Sequence, residues 1–388
     1  MDQSTRKQLD IASRASMFTY ANTAVIIPVS LVAITSEMGF SLTQAGSLSL
    51  AGSIIQFAIL LGSIPLSAAF GKIRPLRWGI WVLGIGMLLF TRITGYISAL
   101  LIITVIASGQ AVIEALQTPL VEDIHPDDDG SKQVFLHAFW PMGIILGTLI
   151  MGEALSRGVD WRTLFLILSI ISIIVGATYP RKSRAKLPGS RAEFSHAGEI
   201  LSQPLFWVFG IALFFAGGAE GGFTFWTASY IQIEYGALPR AGGLGIASFA
   251  LGMASGRLLA SRLASKFGLR KILVFSILMA LIGAVSLYFV SNLITLYFLM
   301  IFMGLFIAPT WPLIQTYTVR RLGADPTMVM VFLSCLGILG FSTVSFIMGF
   351  IGDLSNLRMS FLMAPATLFI LLILLSLEIK VKPVVTQI

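Results

Sequence analysis

Twelve long apolar runs divide the sequence, and they constrain the fold more than any other feature. A helix that crosses a lipid bilayer needs roughly 20 mostly apolar residues. Because lipid offers no hydrogen-bond partner to a free backbone group, such runs are expected to be helical. The runs predict twelve membrane-spanning helices near residues 14–36, 44–70, 77–94, 98–121, 133–155, 161–179, 204–233, 242–265, 271–290, 293–317, 327–350 and 359–379.

The composition agrees with a lipid environment. Of 388 residues, 56% are hydrophobic and 11% are charged, whereas soluble domains carry about 25% charged residues. The net charge of +8 would suit a nucleic-acid partner. However, the Lys and Arg residues lie in short clusters between the apolar runs, so we expect no nucleic-acid binding. The sequence has no nucleophile–base pair and no metal-ligand cluster, so we predict neither an enzyme nor a cofactor or metal site.

The basic residues predict the orientation of the chain. Lys and Arg are enriched about four to one in one set of connecting segments, which contains both termini. The opposite set holds only Arg92, Arg157, Arg162, Arg240 and Arg358. Since cytoplasmic loops carry the excess of basic residues, we expect both termini in the cytoplasm and the protein in the plasma or inner membrane.

The sequence also predicts two similar halves. Phe70-Gly71 follows the second run and Phe267-Gly268 follows the eighth, 197 residues later. Residues 161–165 (Trp-Arg-Thr-Leu-Phe) and 357–361 (Leu-Arg-Met-Ser-Phe) are 196 residues apart. We therefore predict an all-α membrane protein with two pseudo-symmetric six-helix bundles, at residues 1–180 and 204–388, joined by a cytoplasmic linker at 181–203. Duplicated halves are an architecture of transporters, with the binding site at their interface.

One acidic residue lies within the fourth run. Gln110, Glu114 and Gln117 are spaced i, i+4 and i+7, so they form one polar stripe on an otherwise apolar helix. Such a stripe is expected to face the interior of the bundle, where a carboxyl group can change its protonation state as its solvation changes. We predict that Glu114 carries protons. The alternative is that Glu114 extends from the helix end to water.

Two further charges lie within the seventh and eighth runs. Glu220 is flanked by glycines at 217, 218, 221 and 222, which we expect to loosen the helix where it lines a cavity or packs in protein. Arg257 has the opposite charge. We predict that Glu220 is a second proton-coupling residue, with Arg257 as its ion-pair partner or as a gate; the alternative is a purely structural ion pair.

Other polar and aromatic residues within the runs are candidates for solute binding. Aromatic faces beside hydrogen-bonding groups suit amphipathic solutes, although Trp is also common at membrane interfaces and His137 lies near a helix end. The predicted solute contacts are Tyr20, Gln110, Gln117, His137, Trp226, Trp311 and Gln315.

Four stretches, spread over both halves, carry a family resemblance. Residues 114–119 read Glu-Ala-Leu-Gln-Thr-Pro and residues 134–139 read Val-Phe-Leu-His-Ala-Phe. Residues 218–226 begin with Gly-Ala-Glu and end with Trp, and residues 256–268 contain Gly-Arg and Phe-Gly. These motifs resemble the major facilitator superfamily, and within it the fucose permease-like sugar:proton symporters. The resemblance implies that Glu114 takes part in proton coupling and that His137 faces the sugar cavity.

The sequence departs from that family at several positions. Thr118 and Val134 replace asparagines, and Ile64 and Ala68 replace a glycine and an aspartate of the superfamily loop motif. The family's first span carries an aspartate four residues before a proline, where this chain has Ala24. This absence leaves Glu114 as the single acid of the N-terminal half within the membrane, or makes Glu220 the second acid of the mechanism.

The predicted function is secondary active transport of a small polar solute, a sugar by resemblance, through alternating access and coupled to protons. We expect a monomer whose partners are the solute, protons and the bilayer; Na⁺ is an alternative to the proton. Two other functions remain open. One is an exporter of amphipathic drugs or metabolites with the same fold, and the other is a membrane receptor that does not transport.

Overall fold

The computed structural model describes residues 3–127, 131–180, 197–324 and 326–377. These residues form fifteen α-helices. They are α1 (Gln3–Met38), α2 (Leu42–Phe70), α3 (Ile73–Phe90), α4 (Tyr96–Ile124), α5 (Ser131–Ser156), α6 (Trp161–Thr178), α7 (Ala197–Leu201), α8 (Pro204–Glu234), α9 (Pro239–Phe267), α10 (Leu269–Leu287), α11 (Leu293–Ile307), α12 (Thr310–Leu322), α13 (Pro326–Leu354), α14 (Leu357–Ser360) and α15 (Met363–Leu377).

Within the described residues, twelve segments are long and apolar enough to cross a membrane. This number confirms the prediction from the apolar runs. The tenth span differs from the prediction because it is divided into α11 and α12. Pro309 lies at the division and has no backbone N–H with which to continue the helix. The predicted linker at 181–203 lies largely outside the described residues, and its described end contains the short helix α7.

The halves repeat the same helix packing. In the first half α1 packs on α5 and α6, α2 on α4, and α3 on α4 and α6. The second half has the corresponding pairs, with α8 on α13 and α15, α9 on α11, and α10 on α11, α12 and α15. The repeat predicted from the sequence is therefore present in three dimensions, whereas the exact bundle boundaries at residues 180 and 204 stay predictions.

The Phe-Gly landmarks of the repeat end equivalent helices. Gly71 follows α2 with φ +71°, and Gly268 follows α9 with φ +91°. Each donates its backbone N–H to the carbonyl four residues earlier, Ser67 and Ala264 respectively. Residues with a side chain rarely adopt such a positive φ, which explains why glycine stands at the same place in both halves.

Acid–arginine contacts also repeat between the halves. Glu37 at the end of α1 forms an ion pair of 2.7 Å with Arg162 at the start of α6. In the second half, the Glu234 carboxylate at the end of α8 accepts a hydrogen bond of 3.2 Å from the backbone N–H of Arg358 at the start of α14. Each contact ties the first helix of its half to the last span.

The outermost helices present apolar side chains to their surroundings. α3 and α6 of the first half and α10 and α15 of the second expose many large aliphatic and aromatic residues. A water-soluble protein does not leave such extended apolar surfaces uncovered. Lipid chains satisfy them, in agreement with the predicted bilayer location.

The halves approach each other closely at the end of the bundle away from the chain termini. Here α2 packs on α13, and α5 packs on α9. A Cβ atom added at Gly46 of α2 would lie 2.9 Å from the Cα of Phe346 of α13, and one at Gly152 of α5 would lie 2.9 Å from the Pro239 carbonyl oxygen of α9. Small residues permit this close packing of helix backbones. We call this end the closed end.

Polar contacts reinforce the closed end. The Asp353 carboxylate of α13 accepts hydrogen bonds from the backbone N–H groups of Leu42 (2.9 Å) and Thr43 (2.7 Å), and from the Thr43 hydroxyl (2.5 Å). It thus caps the start of α2, where the helix dipole favours a negative charge. On the opposite side, the Ser156 hydroxyl accepts a hydrogen bond of 2.7 Å from the Arg240 backbone N–H. Both pairs of helices that join the halves are therefore held by polar contacts as well as by packing.

We predict that Gly46→Ala weakens the closed end, whereas Gly62→Ala on the same helix does not. A Cβ at Gly46 would force α2 and α13 apart, at a cost of about 1–3 kcal/mol, but a Cβ at Gly62 would meet no atom within 4 Å. Both changes gain the same helix propensity, so Gly62→Ala is a matched control.

Spin labels on the exposed loop residues Arg92 and Ser291, one in each half, report the opening, with the buried Cys335 replaced by Ser. We expect longer label distances for Gly46→Ala and unchanged ones for Gly62→Ala. Identical distance distributions in the two variants would show that this contact does not hold the halves together.

Candidate functional site

A cavity of about 200 Å³ lies between the halves. Helices α1, α2, α4 and α5 contribute its wall in the first half, and α8, α9, α12 and α13 contribute the opposite wall. Most of the lining is apolar. Its aromatic residues are Tyr20, Trp140, Phe225, Trp311 and Phe341, and its polar residues include Thr23, Ser49, Ser53, Gln56, Gln110, Glu220, Thr224 and Ser342.

Aromatic rings from both halves shape the cavity. In the first half the rings of Tyr20 and Trp140 pack with centroids 4.6 Å apart. In the second half Trp311 begins α12 just after the helix break, and its ring lies against Gly217 of α8 and Gly337 of α13. The break at Pro309 and these two small residues together make room for the indole. The cavity therefore offers flat apolar faces on both sides.

The glycines around Glu220 have a different role from the predicted one. α8 is a continuous helix from Pro204 to Glu234, so the expectation of a loosened helix is wrong. A Cβ at Gly221 would lie 2.8 Å from the Phe341 carbonyl carbon of α13. The glycines therefore allow α8 and α13 to pack backbone against backbone, which holds Glu220 on a firm helix at the cavity wall.

Glu220 and Arg257 face each other within the second half. One carboxylate oxygen of Glu220, Oε1, lies 3.3 Å from Nη2 of Arg257, and the Arg257 Nε donates a hydrogen bond of 3.4 Å to the Ala308 carbonyl oxygen. The other oxygen, Oε2, is buried and has no hydrogen-bond partner among the described residues. Glu220 lines the cavity, and Arg257 is 40% exposed beside it. The pair is thus open to the space between the halves.

Glu114 and His137 lie in the same space, farther from the closed end. The Glu114 carboxyl group faces the Tyr20 hydroxyl. His137 Nε2 lies 3.1 Å from the Thr118 hydroxyl. Arg257 is close enough to interact electrostatically with both Glu114 and His137. Arg257 therefore pairs with Glu220 in its own half and acts electrostatically on Glu114 of the other half.

The exposure of these groups locates the opening. Glu114 lies about two-thirds of the way along α4, Arg257 about two-thirds of the way along α9, and His137 near the start of α5. All three positions are towards the end that holds the chain termini, and all three side chains are exposed. A charged group within the membrane-spanning part is tolerated when it faces water or a partner. The gap between the halves therefore opens at the end of the termini.

Besides His137, which is exposed in the gap but does not line the cavity, three predicted solute contacts lie away from the cavity lining. Gln117 is fully buried, and its side-chain oxygen accepts a hydrogen bond of 3.0 Å from the Tyr179 hydroxyl. Trp226 is also fully buried, and its indole N–H donates to the Ser345 carbonyl oxygen at 2.8 Å. Gln315 donates to the Ser334 hydroxyl of α13 at 2.9 Å. These contacts pack helices within a half, so we leave all three residues out of the proposed site.

The sequence analysis missed polar residues of α2. Ser49, Ser53 and Gln56 line the cavity and are spaced i, i+4 and i+7, the same stripe pattern that marked Gln110. Ser53 and Ser49 hydrogen-bond Ser342 of α13, at 3.2 Å for Ser49. That stripe could have been found from the sequence, but two of its members are serines, which are common in membrane helices that pack closely.

Comparison with known proteins now defines the family. The family model described as Major Facilitator Superfamily matches residues 14–242 and 230–387. The chain belongs to the Major Facilitator Superfamily. It is therefore a multi-pass membrane transporter that takes a small-molecule substrate, and not an enzyme. A search of curated proteins finds no match to the chain.

Solved structures of this superfamily share the fold. A bacterial homolog of the human lysosomal transporter Spinster, in an inward-facing and unoccupied conformation, matches with a TM-score of 0.80 at 15% identity, over 98% of each chain. The nucleoside transporter NupG, in a point-mutant form, matches with a TM-score of 0.81 at 11% identity, over 96% of this chain and 99% of that one. These matches confirm the predicted fold; they do not single out the fucose permease-like family.

We predict that Glu220 and Arg257 stabilise each other. Removing one partner leaves the other charge unpaired in a partly buried place, so Glu220→Gln and Arg257→Met should each lower the free energy of unfolding, by on the order of 1 kcal/mol. The double variant should lose less than the sum of the two changes.

Thermal unfolding of the four proteins in detergent gives the coupling. The matched control is the ion pair of Glu153 and Arg157, which are four residues apart on α5 and well exposed, so its coupling should be close to zero. If the losses of unfolding free energy in Glu220→Gln and Arg257→Met simply add in the double variant, the two residues do not stabilise each other.

Proposed function

We propose that this secondary transporter carries a small hydroxyl-bearing solute, of the monosaccharide class, by alternating access and with proton coupling. The observation that carries the proposal is the cavity between the halves, in which aromatic rings alternate with amide and hydroxyl groups. Rings bind the apolar faces of a sugar, and the polar groups satisfy its hydroxyls. NupG, one of the matched structures, is a nucleoside transporter, and a nucleoside itself contains a sugar ring.

We also propose the orientation and the state of the molecule. The excess of basic residues puts the chain termini in the cytoplasm, and the gap opens at that end. The described conformation is then inward-facing, with the closed end towards the outside. Family membership favours transport over the receptor alternative. Location in the plasma or inner membrane and a monomeric state stay proposals from the sequence.

Glu114 is the proposed proton carrier. Its carboxyl group lies in the open gap, faces Tyr20, and shares the influence of Arg257 with Glu220. When the gap changes the side to which it opens, the solvation and the charged neighbours of Glu114 change with it, so a proton can bind on one side and leave on the other. Glu220 is the proposed second acid because it belongs to the opposite half and already pairs with the same arginine.

A second candidate function is export of amphipathic molecules. The observation that favours it is the aliphatic part of the cavity, to which Ile103, Ile106, Ile144, Met253 and Ile338 contribute. Against it, the cavity is smaller than the roughly 300–1,000 Å³ of pockets for drug-sized ligands, and two acids and an arginine lie at its open side. A solute panel in a thermal-shift assay separates the two functions, since monosaccharides should stabilise a sugar carrier and lipophilic cations an exporter.

We predict that Glu114→Gln abolishes accumulation driven by a proton gradient but spares exchange. The amide keeps the shape and a polar group facing Tyr20, yet cannot take up a proton. In proteoliposomes with an imposed pH gradient, we expect labelled solute to reach only its equilibrium level, while exchange of labelled for unlabelled solute stays within about threefold of the wild type.

Glu153→Gln, at an exposed acid of α5 near the closed end, is the matched control and should accumulate solute normally. Full accumulation by Glu114→Gln would assign the proton to another residue, and a response to a sodium gradient instead of a pH gradient would replace the proton by Na⁺.

A further inference from the structure

A chain of hydrogen bonds runs from the backbone of α1 to the cavity surface of α2. It begins at the Tyr20 carbonyl oxygen, which accepts a hydrogen bond of 2.8 Å from the Thr23 hydroxyl. Gln110 of α4 donates its side-chain N–H to the Thr23 oxygen at 3.3 Å. Gln56 of α2 in turn donates its side-chain N–H to the Gln110 carbonyl oxygen at 3.2 Å. The three side chains all line the cavity.

The backbone carbonyl fixes the direction of this chain. A hydroxyl has one hydrogen, and Thr23 uses it on the Tyr20 carbonyl, so its oxygen can only accept. Gln110 must therefore turn its NH₂ group towards Thr23 and its carbonyl oxygen towards Gln56. Gln56 must then turn its own NH₂ group towards Gln110. The orientation of both amides follows from the hydrogen-bond pattern, as amide assignments require.

This direction leaves the Gln56 carbonyl oxygen free at the cavity. Gln56 is half-buried, and its Oε1 makes no hydrogen bond to the residues that the structure describes. On the facing wall, Oε2 of Glu220 also lacks a partner among those residues. Both walls thus present an unused acceptor. A solute that offers O–H or N–H donors would satisfy them, whereas one that offers only acceptors would leave them unpaired.

We infer that Gln56 is a specificity-determining residue, whose side-chain carbonyl oxygen accepts a hydrogen bond from an O–H or N–H group of the solute. Thr23 is a positioning residue that acts through Gln110, because it prevents either amide from turning around. A glutamine that could turn would accept or donate equally well and would not discriminate. The inference deepens the proposed function and rests on it, since it concerns the solute of the same cavity.

Deoxyfluoro sugars test the inference, because fluorine removes the hydrogen of a hydroxyl and donates nothing. Binding of D-glucose, D-galactose, L-fucose and uridine, and of their monofluoro derivatives at each hydroxyl, is measured by the change in tryptophan fluorescence. Of the seven tryptophans, Trp140 and Trp311 line the cavity. For whichever solute binds the wild type, we expect fluorine at one of its hydroxyl positions to weaken binding about five- to tenfold. This is the effect of one lost hydrogen bond.

Variants separate the role of Gln56 from that of its anchor. We call the ratio of the dissociation constants of the fluorinated and the unsubstituted solute the fluorine penalty. Gln56→Leu should weaken binding of the unsubstituted solute by the same factor and reduce the fluorine penalty to one. Thr23→Val should lower the penalty towards one, because Gln110 and Gln56 can then turn, while Thr23→Ser keeps the hydroxyl and the full penalty. Thr104→Val is the control, since Thr104 donates to the Leu101 carbonyl in the same way but is a half-buried residue of α4 outside the cavity lining.

The outcomes are distinct. A sugar whose fluorine penalty survives Thr23→Val and Gln56→Leu overturns the inference and leaves the proposed function standing. Binding of uridine alone, with a penalty that these variants remove, supports the inference and refutes the monosaccharide assignment. If tetraphenylphosphonium, which has no hydrogen-bond donor, binds more tightly than the sugars and uridine, both proposals are contradicted. Both are also contradicted if none of the solutes tested binds.

Discussion

The close approach of α2 to α13 and of α5 to α9 is the contact on which the rest of the structure depends. It brings the two halves together at one end, and the cavity exists because the same helices diverge towards the other end. Two interactions hold the halves together there. Glycines let the backbones pack, and the Asp353 carboxylate satisfies the free N–H groups at the start of α2. Together the two interactions hold the halves at the closed end.

The charges of the membrane-spanning part are distributed unevenly between the halves. The first half contributes Glu114, and the second contributes Glu220 and Arg257. The family that the sequence resembles places a further acid at position 24, where this chain has an alanine that lines the cavity. Arg257 forms its ion pair with Glu220 and acts electrostatically on Glu114. In the proposed mechanism, Arg257 would link the two acids through these two interactions.

Much of the fold follows from the sequence because it rests on local physics. Apolar length predicts a spanning helix, and the Phe-Gly landmarks mark helix ends that need a positive φ. The break in the tenth span was predictable in kind from Pro309, yet proline also occurs inside the continuous helices α1 and α2. The glycines near Glu220 were misinterpreted, since a glycine that loosens a helix and one that admits a neighbour look the same in a sequence.

The candidate site was predictable in part. Tyr20, Gln110, Glu220 and Trp311 line the cavity as their polar stripes and depth indicated. Gln117, His137, Trp226 and Gln315 do not. Gln117 ends a stripe that covers a wide arc of α4, so it faces a neighbour in the same half. Gln56 was not predicted, since its importance arises from hydrogen bonds among three helices, which no single stripe reveals.

A disulfide across the closed end tests the central claim, that solute crosses by alternate opening of the two ends around one cavity. Thr43 and Asp353 are in contact there, so Thr43→Cys and Asp353→Cys can be joined in a protein with Cys335 replaced by Ser. We expect the oxidised protein to bind solute from the open end but to lose both net transport and exchange, and reduction to return both to the level of the same variant before oxidation. Transport that continues through the cross-linked protein would contradict alternating access at this contact.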